Sequence, residues 1–323
     1  MIHIPLQFLV LAVSSAGWGY WLYKLTSSNS ARLNLPSMAL HFAAGFILQI
    51  LLLQNMVYLG APVVKIFWIP LGIGAAGLAR LLLTRSSSLP RGAKMMASIA
   101  TAVFFLQSAT AIHAGRQNYY GKGHIDQINY VFLSEFIRTE SFHTPSDAGN
   151  QSPWLLKGLQ TKEKRIGQSV AAAYVASATF TDAKDSLAAS VSFALAILTA
   201  LVFALGRCLS LPLPLAALAA LWTGLSPAMT RIALEGFFSQ VESIFVYAFL
   251  LVWAVSTKKL STAQIALPAI ALSFQFVTYT ESYLVSFGLF CLLVIYLTWT
   301  HGRGAFIAGV LSAILALLLV PMY

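Results

Sequence analysis

The stretch SLAASVSFALAILTALVFALG, residues 186–206, contains no charged residue and no proline. At 1.5 Å per residue a helix of this length matches the roughly 30 Å hydrocarbon thickness of a bilayer. It reads as a membrane-crossing helix, and runs of the same kind lie on both sides of it. Counting it, the spans fall at about 5–23, 38–59, 62–83, 95–114, 186–206, 211–228, 236–256, 264–280, 283–300 and 304–321. The first lacks the basic leader and cleavage site of a signal peptide, so it counts as a span. The fold class that follows is all-α: a polytopic transmembrane bundle of about ten spans, with one long loop. The composition agrees: of 323 residues, 58% are hydrophobic and 9% charged, where a soluble domain carries about 25% charged residues.

Charge sets the expected orientation, because short cytoplasmic loops retain Lys and Arg. With the N-terminus outside, the inner loops hold Lys24, Arg32, Arg80, Arg85, Arg91, Lys94, Arg207, Lys258, Lys259 and Arg303, and no acid. The acids, Asp126 to Glu281, all fall on the outer side or in the outer half of a span. The net charge of +10 is therefore that of a positive-inside membrane protein and does not indicate nucleic-acid binding.

Residues 115–185 form the only long hydrophilic stretch, and the expected topology puts them outside. Loops of this length without structure are uncommon and usually functional. Ile125, Ile128, Val131, Phe132 and Phe136 recur at helical steps. They predict an amphipathic helix on the membrane surface, with Asp126, Gln127, Asn129, Glu135 and Arg138 mostly on its other face. Pro145 to Pro153 form a turn-rich break. The basic cluster Lys162, Lys164, Arg165 precedes a second, half-buried helix over 166–180.

Ionisable groups inside membrane helices are costly and often functional. Glu235, Ser239 and Glu242 share one helical face, with Ser243 beside it, and Arg231 sits one turn before Glu235. Glu281 lies in the run Thr278, Tyr279, Thr280, Glu281, Ser282. The six histidines form no metal pair at helical spacing, and His124 beside Asp126 is the suggestive one. Cys208 and Cys291 supply neither a disulfide framework nor a metal motif and read as packing residues. No phosphate-binding glycine loop, nucleophile elbow or zinc-protease motif is present. Small residues such as Gly72, Gly74 and Gly77 permit close helix packing.

The order of elements resembles a known family. A span leads into an outer helix with an early acid, GHIDQINY at 123–130. A second loop helix, KRIGQSVAAAYVASATF at 164–180, follows, and then a span ending in Gly206 and Arg207. The next span runs into LSPAMTRIALEGFFSQ at 225–240, and VTYTES at 277–282 adds to the likeness. This looks like the GT-C superfamily of multi-spanning glycosyltransferases, in particular bacterial members with extra N-terminal helices. The resemblance covers roughly 95–320, so 1–94 reads as a three-helix extension and 95–323 as the core.

The resemblance implies a polyprenyl-phosphate-linked sugar donor, a lipid- or glycan-linked acceptor, and a bacterial inner-membrane location with the loop on the outer face. It places the catalytic acid at Asp126, which lacks the adjacent second acid of a DD or DxD metal site. Donor phosphate binding falls to Lys164, Arg165 and Arg231, and substrate contacts to His124, Glu235, Gln240, Glu242, Tyr279 and Glu281. No ligand motif fixes a cofactor; Glu235 and Glu242 would orient the acceptor or hold a divalent ion. A transporter or lipid flippase and a non-catalytic subunit of a membrane complex are the alternative readings. The expected test of the enzyme reading is an outer loop folded back on the bundle beside a cavity open to lipid.

Overall fold

The computed structural model describes residues 3–26, 33–84, 89–109, 112, 125–144, 166–234, 238–257 and 262–320. These residues are helical and contain no strand. In chain order the helices are α1 (His3–Thr26), α2 (Leu35–Tyr58), α3 (Val63–Ile66), α4 (Trp68–Thr84), α5 (Ala93–Gln107), α6 (Ile125–Thr139) and α7 (Gly167–Thr179). There follow α8 (Ala183–Cys208), α9 (Leu213–Leu225), α10 (Pro227–Leu234), α11 (Phe238–Ser256), α12 (Thr262–Thr278), α13 (Thr280–His301) and α14 (Arg303–Leu319).

Among the described residues six helical stretches are long and apolar enough to cross a membrane: Leu35–Tyr58, Val63–Thr84, Ala183–Cys208, Leu213–Ile232, Ser239–Ser256 and Thr280–His301. Ala93–Gln107, Gln264–Thr278 and Arg303–Leu319 are shorter apolar helices. The breaks have local causes. Pro227 excludes the residue before it from the helical region, so Ser226 is extended (φ −57°, ψ 147°) and separates α9 from α10. Asn34 caps α2 by accepting the Ser37 N–H at 2.9 Å, and Leu35-Pro36 opens its first turn.

The interior and much of the periphery are both apolar. α8 sits at the centre and is buried along nearly its whole length, as expected for a helix apolar on every side. It packs against α1, α2, α5, α7, α9 and α11. The peripheral helices turn large apolar side chains outward: Leu215, Leu218 and Trp222 on α9, Leu284, Leu292 and Ile295 on α13, Phe306, Leu311 and Leu317 on α14. Apolar exposure on this scale marks a lipid-facing surface. Residues 1–94 and 95–323 share one hydrophobic core, which runs from Ile4 to Ala316.

Small residues set the closest approach. A Cβ at Gly17 would lie 1.7 Å from the Gly74 carbonyl oxygen, and one at Gly77 would lie 2.4 Å from the Gly17 oxygen. The partner of Gly74 and Gly77 is thus α1 of the same chain, whereas Gly72 has nothing within 4 Å. Cys208 is half-buried and Cys291 exposed on α13; the expectation that both are packing residues fails for Cys291, which lies off the buried stripe formed by Phe290 and Val294.

Candidate functional site

Of the two loop helices, α6 packs on one end of the bundle and α7 is enclosed within it. α6 packs against α7, α8 and α3. Its buried side is Leu133, Ser134 and Ile137, with Tyr130, Val131 and Phe136 partly covered and Phe132 exposed. This differs from the expected stripe, in which Phe132 faced inward and Glu135 outward. The reason is that α6 packs against protein elements, so its buried sector is set by α3, α7 and α8. The side chains of Ile125, Asp126 and Ile128 lie outside the described residues.

Four contacts fix α6 and the segment after it. The Tyr130 hydroxyl lies 2.7 Å from Ser239 Oγ on α11. Glu135 Oε2 accepts the Ala183 N–H at 3.0 Å, capping from outside an α8 N-terminus that Asp182 does not cap with its own side chain. Arg138 Nε donates to Glu135 Oε1 at 3.0 Å. His143 Nε2 is 2.7 Å from the carbonyl oxygen of Tyr58 at the end of α2. Burial pushes the Glu135 carboxyl upward, but the hydrogen bonds from Arg138 and Ala183 and the charges of Arg138 and Lys184 outweigh it and hold the group below its ordinary range.

α7 departs from the expected half-buried helix: from Ile166 to Ser177 every residue is buried. It is enclosed by α8, α6, α1, α3, α2 and α12. Its small residues permit this. A Cβ on Gly167 would come within 2.3 Å of Thr278 Cγ2 and 3.5 Å of Gln54 Oε1.

Around that contact the bundle is polar. On α11, Ser239, Glu242 and Ser243 are buried, with Glu242 1% exposed. Gln275 on α12 donates to Ser243 Oγ at 2.8 Å and to the Tyr279 carbonyl at 3.2 Å. Gln168 on α7 donates to Ser190 Oγ at 3.2 Å. On α2, Gln49 donates to Ser15 Oγ at 3.1 Å, and both amide atoms of Gln54 are buried without a hydrogen-bond partner. Buried polar groups are ordinarily paired, so each exception calls for a cause.

The expected site residues divide accordingly. Glu242 joins the buried cluster, the Tyr279 carbonyl closes its edge and Gln240 is half-buried next to it. Arg231 on α10 and Glu281 in the first turn of α13 are exposed. Asp126 falls in the first turn of α6, while His124, Lys164, Arg165 and Glu235 lie outside the described residues. Tyr130, Gln54, Gln168 and Gln275 complete the arrangement and were not among the expected site residues, and Glu135, expected only on the polar face of α6, joins them. The signal for the glutamines was their position within apolar runs. Among the described residues no three His, Cys, Asp or Glu side chains gather as a metal site. A small pocket lined by Trp253, Thr257, Gln264, Leu297 and His301 lies at the far end of α11, away from this cluster. The sequence matches no protein-family model and no curated protein, and the fold matches no solved structure.

Proposed function

We propose that the protein is a membrane glycosyltransferase of GT-C type, moving a sugar from a polyprenyl-phosphate donor to an acceptor hydroxyl on the outer face of a bacterial inner membrane. The observation that carries this reading is the anchoring of α6. The helix that bears Asp126 is tied through Tyr130 to α11 and through Glu135 to α8, at the end of the bundle where the buried acid Glu242 lies. On this reading about ten helices cross the bilayer, the N-terminus and residues 115–185 are outside, and the donor's lipid tail lies against the apolar periphery.

In the proposed reaction the Asp126 carboxylate takes the proton of the acceptor hydroxyl. The acceptor oxygen bonds to the sugar's anomeric carbon as the bond from that carbon to the phosphate oxygen breaks. The polyprenyl phosphate leaves with the bonding pair. Lys164, Arg165 and Arg231 stabilise the charge on the departing phosphate, and Arg suits this through its planar fork. His124, Glu235, Gln240, Glu242, Tyr279 and Glu281 are the proposed substrate contacts.

The test is release of free polyprenyl phosphate by the purified protein from a panel of polyprenyl-phosphate sugars, with and without a chelator. Turnover with at least one donor supports the reading, and its loss with chelator would add a divalent metal. No turnover with any donor, in protein shown to be folded, sinks it. A transporter or flippase is the second reading, favoured by α7, a short helix buried inside the bundle, since discontinuous helices line transporter sites.

A further inference from the structure

The end of the bundle away from α6 carries cations without acids. Every acid whose side chain is described lies toward the α6 end. Glu135 is on α6 and Glu140 just after it, and Asp182 and Asp185 are at the start of α8. Glu242 is three residues beyond the Ser239 that bonds Tyr130, and Glu281 three residues beyond the Thr278 that adjoins Gly167.

At the other end, α5, α8 and α9 bring cations to one place. Gly92 (φ 91°) precedes α5, and a Cβ there would lie 3.1 Å from Leu213 Cδ1 on α9 and 3.5 Å from Phe203 Cε1 on α8. This sets Arg91 against the start of α9, with Lys94 following in the first turn of α5. Arg207 is one turn beyond Phe203 on α8, and its Nη1 donates to the Leu211 carbonyl in the turn that leads into α9. Arg91 and Lys94 are exposed and Arg207 is half-buried, and none of them has a carboxylate partner among the described residues.

From this patch α5 and α9 run side by side in the same direction. They meet again further along, where a Cβ on Gly224 would lie 2.9 Å from Val103 Cγ1. At 1.5 Å per residue the two contacts are about 16 Å apart along the helices. The outward surface of the pair is apolar, with Met95 on α5 and Leu215, Leu218 and Trp222 on α9 exposed. A basic patch that continues into an apolar groove matches an amphiphile with an anionic head and a hydrocarbon tail. The planar fork of Arg suits phosphate oxygens. A free anion would leave the groove uncovered, and a zwitterionic lipid brings its own cation to the patch.

We propose that Arg91, Lys94 and Arg207 bind the phosphate head of an anionic phospholipid whose acyl chain lies along α5 and α9. The proposal stands independently of the glycosyltransferase reading.

The experiment uses the full chain, delipidated in detergent, with phosphatidylglycerol or phosphatidylcholine of the same acyl chains added in mixed micelles. Bound lipid is counted by native mass spectrometry and the melting temperature is followed in parallel. The expected result is saturable binding of phosphatidylglycerol at least about tenfold tighter than that of phosphatidylcholine. It should raise the melting temperature, as a ligand of the folded state does. Each Lys or Arg near an anionic surface favours association roughly fivefold, so Arg91→Gln with Lys94→Gln should weaken phosphatidylglycerol binding about tenfold or more. Both side chains are exposed, so this variant keeps the fold. Arg80→Gln with Arg303→Gln removes the same charge from α4 and α14 and should change the binding less than about twofold. Equal loss in the two variants would overturn the proposal by reducing the effect to net charge, and equal binding of the two lipids would overturn it as well. A matching rise in melting temperature with inorganic phosphate alone would assign the patch to a free anion and overturn the lipid site.

Discussion

Replacing Glu135 by alanine should undock α6 without disturbing the span it caps. The carboxylate accepts the Ala183 N–H at 3.0 Å and the Arg138 Nε–H at 3.0 Å. A hydrogen bond to a charged group contributes about 1.5–3 kcal/mol when buried, and this pair is part-exposed, so solvent screening lowers the Ala183 bond to about 1 kcal/mol. The Arg138 pair, one turn along the same helix, adds about 0.3–0.5 kcal/mol. The Ala183 bond acts on docking and the Arg138 pair, internal to α6, on the helix itself; together, about 1.5 kcal/mol, they shift the opening equilibrium of α6 roughly tenfold. Amide hydrogen exchange read by mass spectrometry over residues 130–139 should therefore speed up about tenfold in Glu135→Ala, while the interior of α8 keeps its protection. An unchanged rate in α6, or an equal increase in α6 and α8, would refute the reasoning. The pH dependence follows from the direction of the shift. Because docking holds the Glu135 carboxyl below its ordinary range, its contribution is fully present above the ordinary glutamate value of about 4.3. It is lost as pH falls through the depressed value, so exchange in parental α6 should accelerate below about pH 4 and the variant should not respond there.

Glycine packing gives a paired test by thermal unfolding. Gly17→Ala forces α1 from α4, where its Cβ meets the Gly74 oxygen, and should lower stability by about 2 kcal/mol or more; Gly72→Ala, with open space around it, should be neutral or gain up to about 1 kcal/mol of helix propensity. Tyr130→Phe removes the hydroxyl bonded to Ser239 and should cost about 0.5–1.5 kcal/mol. In a double-mutant cycle with Ser239→Ala the two effects should be non-additive. Cys291, exposed in the middle of α13, should resist a membrane-impermeant maleimide in sealed vesicles of either orientation and react after solubilisation in SDS.

The helices were legible because membrane spans announce themselves by length and composition, as in 186–206, and because Pro227 enforces its own break. The inward face of α6 was not legible. Periodicity gives the width of an apolar stripe but not which elements flank it; Ser134 is buried and Glu135 half-buried because α7 and α8 pack against that side. α7 misled for a related reason: Gly167, Ser169, Ala171 and Ala176 look too weakly apolar for the membrane, yet their small size is what lets other helices surround the segment. The glutamines are inconspicuous in the sequence because one polar residue per span lowers hydropathy little. Their meaning rests on which partners each amide finds, and that is a property of packing across α2, α7, α11 and α12. Of the acid stripe expected at 235–242, Ser239 and Glu242 are buried together and Glu235 lies outside the described residues.

The role of Asp126 carries the functional reading, and one comparison tests it most directly. The parent and Asp126→Asn are given the best polyprenyl-phosphate sugar under identical conditions and release of polyprenyl phosphate is followed, with amide exchange confirming that α6 stays docked in the variant. Loss of a general base should reduce turnover by about 10²–10⁴-fold with α6 exchange unchanged. Turnover by the variant at the parental rate would contradict the assignment of the base to the loop helix.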